Sequence, residues 1–411
     1  MPEVESRPSE ETDLPLQGLR VIAVEQYGAG PFGTMHLADL GAEVIKVEAP
    51  DTGGPLPGDS ARHTGPTLPG GNDSLFFQSF NRNKRSIGLN LKGEGQQVLQ
   101  RLARTADALI NNVRGDQPER LGLTYDALSA ANPSLVCVHI SGYGRTGERR
   151  TWPAYDYLMQ AEAGYMDLTG EPDAPPTRMG LSVVDYLTGV TAALALVSGV
   201  LAAKLKGRGR DLEVSLFDVA MGQLTYPAAW WLNGGLPTLR RPRAGHPSIV
   251  PCERYRAADG DLFVMCIVPK FWKTFATIIG RADLLDDARF QTVEGRFTHR
   301  DALAHEVDAA LKSATVATWM ERLAGVVPAS PVKTMAEALE NPFVTERGGL
   351  VDVPHETAGT VRLVASPIRP DGKVLPAHAA PTLGADTDGL LAELGYDAGE
   401  IARLRAEGVV S

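Results

Sequence analysis

The chain has 411 residues, 43% hydrophobic and 22% charged, with 40 Lys and Arg against 50 Asp and Glu and a formal net charge of −10. That balance excludes a generic nucleic-acid or anionic-membrane surface, since both select basic faces. Three cysteines (Cys137, Cys252, Cys266) and eight scattered histidines show no metal or redox spacing, so a reduced, cytoplasmic setting without a metal is expected.

Residues 1–15 are acidic and proline-bearing, which reads as a disordered, solvated tail and not a signal peptide. Leu19–Val24 is the short branched run of a strand buried on both faces. Gly28-Ala-Gly-Pro-Phe-Gly33 leads into a helical pattern through Met35 and Leu40, and a second strand runs from Glu43 to Val47, closed by Glu48. The alternation continues with helices at Gln96–Ala106 and Tyr125–Ala131 and strands at Ala108–Asn111 and Leu135–Ile140. A long apolar helix, Val183–Lys206, precedes a strand at Leu212–Leu216. Its uncharged stretch reaches the length of a membrane span, but its Thr, Ser and Gly content favours a buried core helix. Glu253–Val268 reads as a hairpin around Ala258-Asp-Gly260, with amphipathic helices up to about Ala324. Short strands (Leu350–Val353, Val361–Val364) and two helices, near Asp386 and from Asp397, close the chain. The expected fold is α/β: a Rossmann-like, parallel-sheet large domain from 16–222 and 331–411, plus a smaller α+β domain at 223–330. The Pro/Gly-rich 50–71 segment and the irregular 237–251 segment are candidate lids.

Two places carry candidate chemistry. Gly28-x-Gly30-x-x-Gly33, with Glu48 where a ribose-binding acid would stand, matches a dinucleotide fingerprint. The same glycines would equally serve a close backbone passage. Asp185 stands at the head of the long helix, where it or Ser182 is a ready cap. Backbone N–H groups and the helix dipole would also hold an ionised carboxylate there, with a lowered pKa suited to nucleophilic attack on a thioester.

Further marks accumulate: Leu16-Gln-Gly-Leu-Arg-Val-Ile, Leu40-Gly-Ala-Glu-Val-Ile-Lys-Val-Glu48 and Asn81-Arg-Asn-Lys-Arg-Ser-Ile-Gly-Leu-Asn-Leu-Lys92. Later come Tyr155-Asp-Tyr-Leu-Met-Gln160, Thr169-Gly-Glu-Pro-Asp173, Gly207-Arg-Gly-Arg210 and Leu383-Gly-Ala-Asp-Thr-Asp388. With the Asp185 segment, these residues resemble the family III CoA-transferases, the group of formyl-CoA:oxalate CoA-transferase, with α-methylacyl-CoA racemases as a sister branch. The resemblance spans nearly all of Leu16 to Val410.

The resemblance implies that Asp185 is the nucleophile, forming an aspartyl anhydride and then an aspartyl-CoA thioester. It implies coenzyme A contacts at Gly28, Ala29, Leu89, Asn90, Leu91, Lys92, Asn112, Val113, Arg114, Arg120, Pro153, Ala154, Tyr155 and Asp156. Lys92, Arg114 and Arg120 are then phosphate partners, with Lys84 and Arg85 adding to the field. Acyl-CoA thioesters are substrates, succinyl-CoA being the first donor to try, with a small carboxylic acid as acceptor and no permanently bound cofactor. An interlocked homodimer is implied as well.

Three departures qualify the match. Gly28 stands where formyl-CoA transferases carry Gln, so an oxyanion donor there must be a backbone N–H. Arg243-Ala-Gly-His-Pro247 is the nearest counterpart of a glycine-rich active-site loop, with His246 a candidate contact for the acceptor. Tyr155-Asp156 replaces the racemases' His-Asp pair, and tyrosine is a poor base at neutral pH. The rival readings are an acyl-CoA racemase, an NAD-dependent dehydrogenase with Glu48 on the ribose, and a non-catalytic CoA-binding protein.

Overall fold

The computed structural model describes residues 13–54, 56–69 and 73–411, so the expected tail lies, up to residue 12, outside the described residues. The chain divides into two compact units. The larger takes the chain up to Ala163, Gly180–Gln223 and Phe343–Ser411; the smaller takes Gly164–Met179 and Leu224–Pro342. Compared with the expected 223–330, the smaller unit runs on to Pro342 and draws in 164–179.

The larger unit opens with β1 (Arg20–Val24), α1 (Ala29–Asp39), β2 (Glu43–Glu48), α2 (Leu75–Asn81) and β3 (Arg85–Gly88). Then come α3 (Gly95–Thr105), β4 (Ala108–Asn111), α4 (Tyr125–Leu128), β5 (Val136–Ser141) and α5 (Asp156–Glu162). After α6 (Tyr165–Leu168), in the segment belonging to the smaller unit, follow α7 (Val183–Lys206), β6 (Arg210–Ser215) and α8 (Leu216–Gly222). The six strands form one parallel sheet in the order β3-β2-β1-β4-β5-β6. Every residue of β4 and β5 is buried, as unbroken apolar strands in a covered sheet require. Strand order reverses between β1 and β4, the switch point beside which such sheets open a crevice at their carboxyl ends.

The smaller unit holds α9 (Thr225–Gly234), then β7 (Cys252–Arg256) and β8 (Asp261–Met265), the expected hairpin. Helices α10 (Pro269–Ile278), α11 (Val293–Thr298), α12 (Arg300–Leu311) and α13 (Val316–Leu323) follow. Strand β9 (Ala329–Pro331) then pairs antiparallel with β8, and α14 (Met335–Leu339) comes next. Beyond are α15 (Pro342–Glu346), the antiparallel pair β10 (Leu350–His355) and β11 (Gly359–Val364), α16 (Thr387–Glu393) and α17 (Ala398–Ala406). A capping box of Asp397 and Glu400 starts α17. Leu390, Leu391, Leu404 and Val410 share one core with Val98, Leu99 and Leu102 of α3 and with Ile22 and Ile45 of the sheet. The closing helices thus complete a hydrophobic core begun by the sheet and α3.

Helix α7 is half of what its composition suggests. Val184, Thr188, Gly189, Ala192, Leu196, Gly199 and Ala203 are buried, while Val190, Leu194, Leu201 and Leu205 lie exposed along another face, Leu205 to 77%. It is long and apolar enough to cross a membrane by length and composition, with 44% of its most apolar window buried. Gly207, at φ 67°, ends it in the left-handed conformation.

Candidate active site

The glycine motif folds differently from a dinucleotide loop. Helix α1 begins at Ala29, so Gly30 and Gly33 lie inside it. A Cβ on Gly33 would collide with the carbonyl oxygen of Gly189, and one on Gly189 with that of Ala29. These glycines let α1 and α7 touch backbone to backbone, which brings Gly28 beneath Asp185. A Cβ on Gly28 would collide with Asp185 Oδ2. Glu48 is no ribose ligand either. Arg62 Nε and Nη2 grip its two oxygens at 2.8 Å each, and Ser86 Oγ donates to it at 2.7 Å, all buried.

The turn between β1 and α1 is clamped from three sides. Lys46 Nζ donates to the Glu25 carbonyl (3.1 Å), Asn112 accepts from the Gln26 N–H (2.9 Å) and donates to the Gln26 carbonyl (2.7 Å), and Asp59 accepts from the Tyr27 N–H (2.9 Å). Tyr27 is thereby held at φ 65°, a left-handed backbone that costs a non-glycine residue energy. Lys46 and Asp59 are themselves a fully buried pair at 2.8 Å. Of the 50–71 segment, a candidate lid from its composition, the described stretch 56–69 is tied through Asp59 and Arg62 into this buried charge cluster.

Asp185 is the third residue of α7, 9% exposed. It does not cap the helix, and the Ser182 side chain makes no cap bond. Asp156, at the start of α5, reaches across instead: its Oδ2 accepts from the N–H of Val184 (2.7 Å) and of Asp185 (3.0 Å), and its Oδ1 from Gln160 Nε2 (2.6 Å). The expected lowering of the Asp185 pKa is therefore overturned. Burial first, then the Asp156 carboxylate, push it up to about 7.

Asp185 faces a groove of about 230 Å³ at the carboxyl ends of β1, β4, β5 and β6, next to the switch point. Gly28, Ala29, Asn112, Val113, Arg114, Pro153, Ala154 and Tyr155 line it, all named from the sequence. Gln26, Tyr27, Ile140, Ser141, Gly142, Trp152 and Leu216 line it too and were missed, although most follow strand ends, where the crevice rule points. Tyr155 is 63% exposed, edge-on to Tyr27, and so no core tyrosine. Asp156 sits behind the wall, its side chain spent on α7.

Leu89, Asn90, Leu91, Lys92 and Arg120 lie outside the groove lining. Leu89 is buried, with its backbone paired to Val410; Asn90 accepts from the Lys92 N–H; Leu91 packs on the core; Lys92 is exposed. Arg114 is paired with Asp116, and Arg120, with a 70% exposed side chain, stands 3.8 Å from the same acid. Lys84 and Arg85 do not join a surface field. Lys84 is fully buried on Glu25 and Asn81, its pKa lowered to about 8 by desolvation, and Arg85 bridges Glu43, Asp386 and Glu393. In the smaller unit, His246 Nδ1 accepts from the N–H groups of Ser248 and Ile249, a structural role.

The family model of CoA-transferase family III matches residues 16–387. The chain belongs to that family. Its relatives include a succinate–glutarate CoA-transferase of Agrobacterium fabrum, 34% identical over 92% of this chain and 96% of that one. An acetyl-CoA:oxalate CoA-transferase of Acetobacter aceti is 35% identical over 87% and 90%. Among solved structures, a CAIB/BAIF family protein from Brucella suis superposes with a TM-score of 0.80 at 32% identity, covering 93% of this chain and 99% of that one. This family III CoA-transferase carries the family's mixed α/β architecture.

Proposed function

We propose that the enzyme moves CoA from an acyl-CoA donor, with succinyl-CoA the first candidate, to a small carboxylic acid through covalent intermediates on Asp185. An Asp185 oxygen attacks the thioester carbonyl, the C–S bond breaks, and CoA leaves as thiolate from an aspartyl anhydride. The thiolate attacks the aspartyl carbonyl, freeing the donor acid and leaving an aspartyl-CoA thioester. The acceptor carboxylate displaces the thiolate to form a second anhydride. Return of the thiolate to the acceptor acyl carbon releases the new thioester and Asp185. Thioester energy survives as long as water stays out.

The observation that carries this reading is Asp185 itself: a buried carboxylate in the wall of the switch-point groove, laid against a glycine that leaves space over it. Backbone N–H groups of the first turn of α1, which has no side-chain cap, are the oxyanion donors in this reading. Arg114 at the groove edge is the phosphate partner. The substrates of the named relatives favour dicarboxylate acceptors such as glutarate. Against the dehydrogenase reading stands the consumed Glu48; against the racemase reading stands Tyr155, an exposed tyrosine where a base is needed. A homodimer, interlocked as the resemblance implies, is part of the proposal, supported by the exposed leucines of α7. So is a cytoplasmic setting, supported by three free, buried cysteines.

The test incubates the protein with several acyl-CoAs and a panel of carboxylic acids and reads new thioesters by mass spectrometry. Hydroxylamine should tag Asp185 during turnover, and Asp185→Asn should abolish both signals. New thioesters formed equally well by Asp185→Asn would refute the mechanism.

A further inference from the structure

Asp156 is a buried carboxylate, 4% exposed, at the first residue of α5, and the chemistry above does not use it. Its Oδ2 is shared between the N–H groups of Val184 and Asp185, the free donors at the start of a 24-residue helix. Those donors, and the positive end of the helix, are what would otherwise stabilise an anion on Asp185. Gln160 Nε2 at 2.6 Å locks the other oxygen, so the acid is fixed in place by three donors. We propose that Asp156 is a positioning residue that occupies the helix start, aims the Asp185 side chain into the groove, and sets a like charge beside it. The nucleophile then ionises near neutral pH, where a carboxylate is both available and more basic than a surface acid.

The other groups around Asp185 do not undo this. Tyr27 before α1 and Tyr186 on α7 are pushed up by burial and stay neutral, Tyr155 and Tyr157 belong to the α5 start, and Arg114 is engaged with Asp116. Asp156 is held in place by its three donors, and the catalytically competent Asp185 anion is lost as pH falls through neutrality.

The inference rests on Asp185 being the nucleophile, but its test does not require turnover. Carbodiimide with glycine methyl ester labels protonated carboxyls, and mass spectrometry follows labelling of Asp185 against pH. In the unaltered protein the midpoint is expected near neutral pH. In Asp156→Asn and Asp156→Ser, which keep an acceptor for the helix and remove the charge, it should fall by about one pH unit or more. The acid limb of single-turnover acyl transfer should move with it, whereas a purely structural role would lower the rate at every pH and leave the limb in place. A wild-type midpoint below about pH 5 overturns the inference even if neither variant folds. So does an unmoved midpoint in a folded variant. A shifted titration in a protein that makes no thioesters would sink the proposed function and leave only the charge coupling of Asp156 to Asp185 standing.

Discussion

At the scale of single residues, the site is built from charges that cannot be read as solvated. Glu25, Glu48 and Asp59 are buried together with Lys46, Lys84 and Arg62, each pair within hydrogen-bond reach. Removing one partner strands a charge in low dielectric. Asp59→Asn should therefore cost roughly 3–5 kcal/mol in chemical denaturation and release the Tyr27 turn, so that kcat falls more than KM rises. Asp185 carries the opposite sign. Its raised pKa means the folded state binds the proton more tightly than the unfolded chain, so its contribution to stability declines as pH rises from the ordinary carboxylate range to about 7. Asp185→Asn should accordingly be more stable than wild type at pH 8, by roughly 1–2 kcal/mol, with the gap closing near pH 4; equal thermal midpoints at pH 8 would contradict the burial argument. The candidate nucleophile was legible from its place before an apolar helix, but its ionisation was not. A sequence shows which residue stands at a helix start, and it does not show that a carboxylate 29 positions earlier takes the helix N–H groups.

At the scale of elements, the contact between α1 and α7 positions everything else. Gly33 and Gly189 permit it, and it sets Gly28 under Asp185. Gly33→Ala would push the helices apart, an overpacking that typically costs 1–3 kcal/mol, and acyl transfer should fall disproportionately because Asp185 moves off Gly28. Retained activity in a folded Gly33→Ala protein would show that this spacing does not matter. The parallel strands were readable because a strand buried on both faces is a continuous apolar run, as in Val136–Ser141. Strands β3 and β9 were not: Arg85–Gly88 and Ala329–Pro331 carry no apolar run and exist through their neighbours. The glycine motif misled for the same reason. Glycine marks close approach, and only packing tells whether the approaching group is a phosphate or another helix.

At the scale of the whole molecule, the exposed apolar face of α7 calls for cover. Leu194 and Leu205, at 67% and 77% exposure, lie on a helix whose other face is core. A Leu194→Glu, Leu205→Glu pair should convert the proposed dimer to monomer in analytical ultracentrifugation; a wild-type protein that sediments as a monomer would remove the homodimer from the proposal. By itself the sequence determined the α/β class, the parallel alternation, the two closing helices and the residue at the head of the long helix, because period, capping and apolar runs are local properties. Tertiary structure alone decided that Glu48 pairs with Arg62, that Lys84 is buried, that 164–179 joins the smaller unit, and that Asp156 caps α7. Each of these joins residues distant along the chain, and which charges end up sharing a dry interior is fixed only when the sheet and its helices close over them.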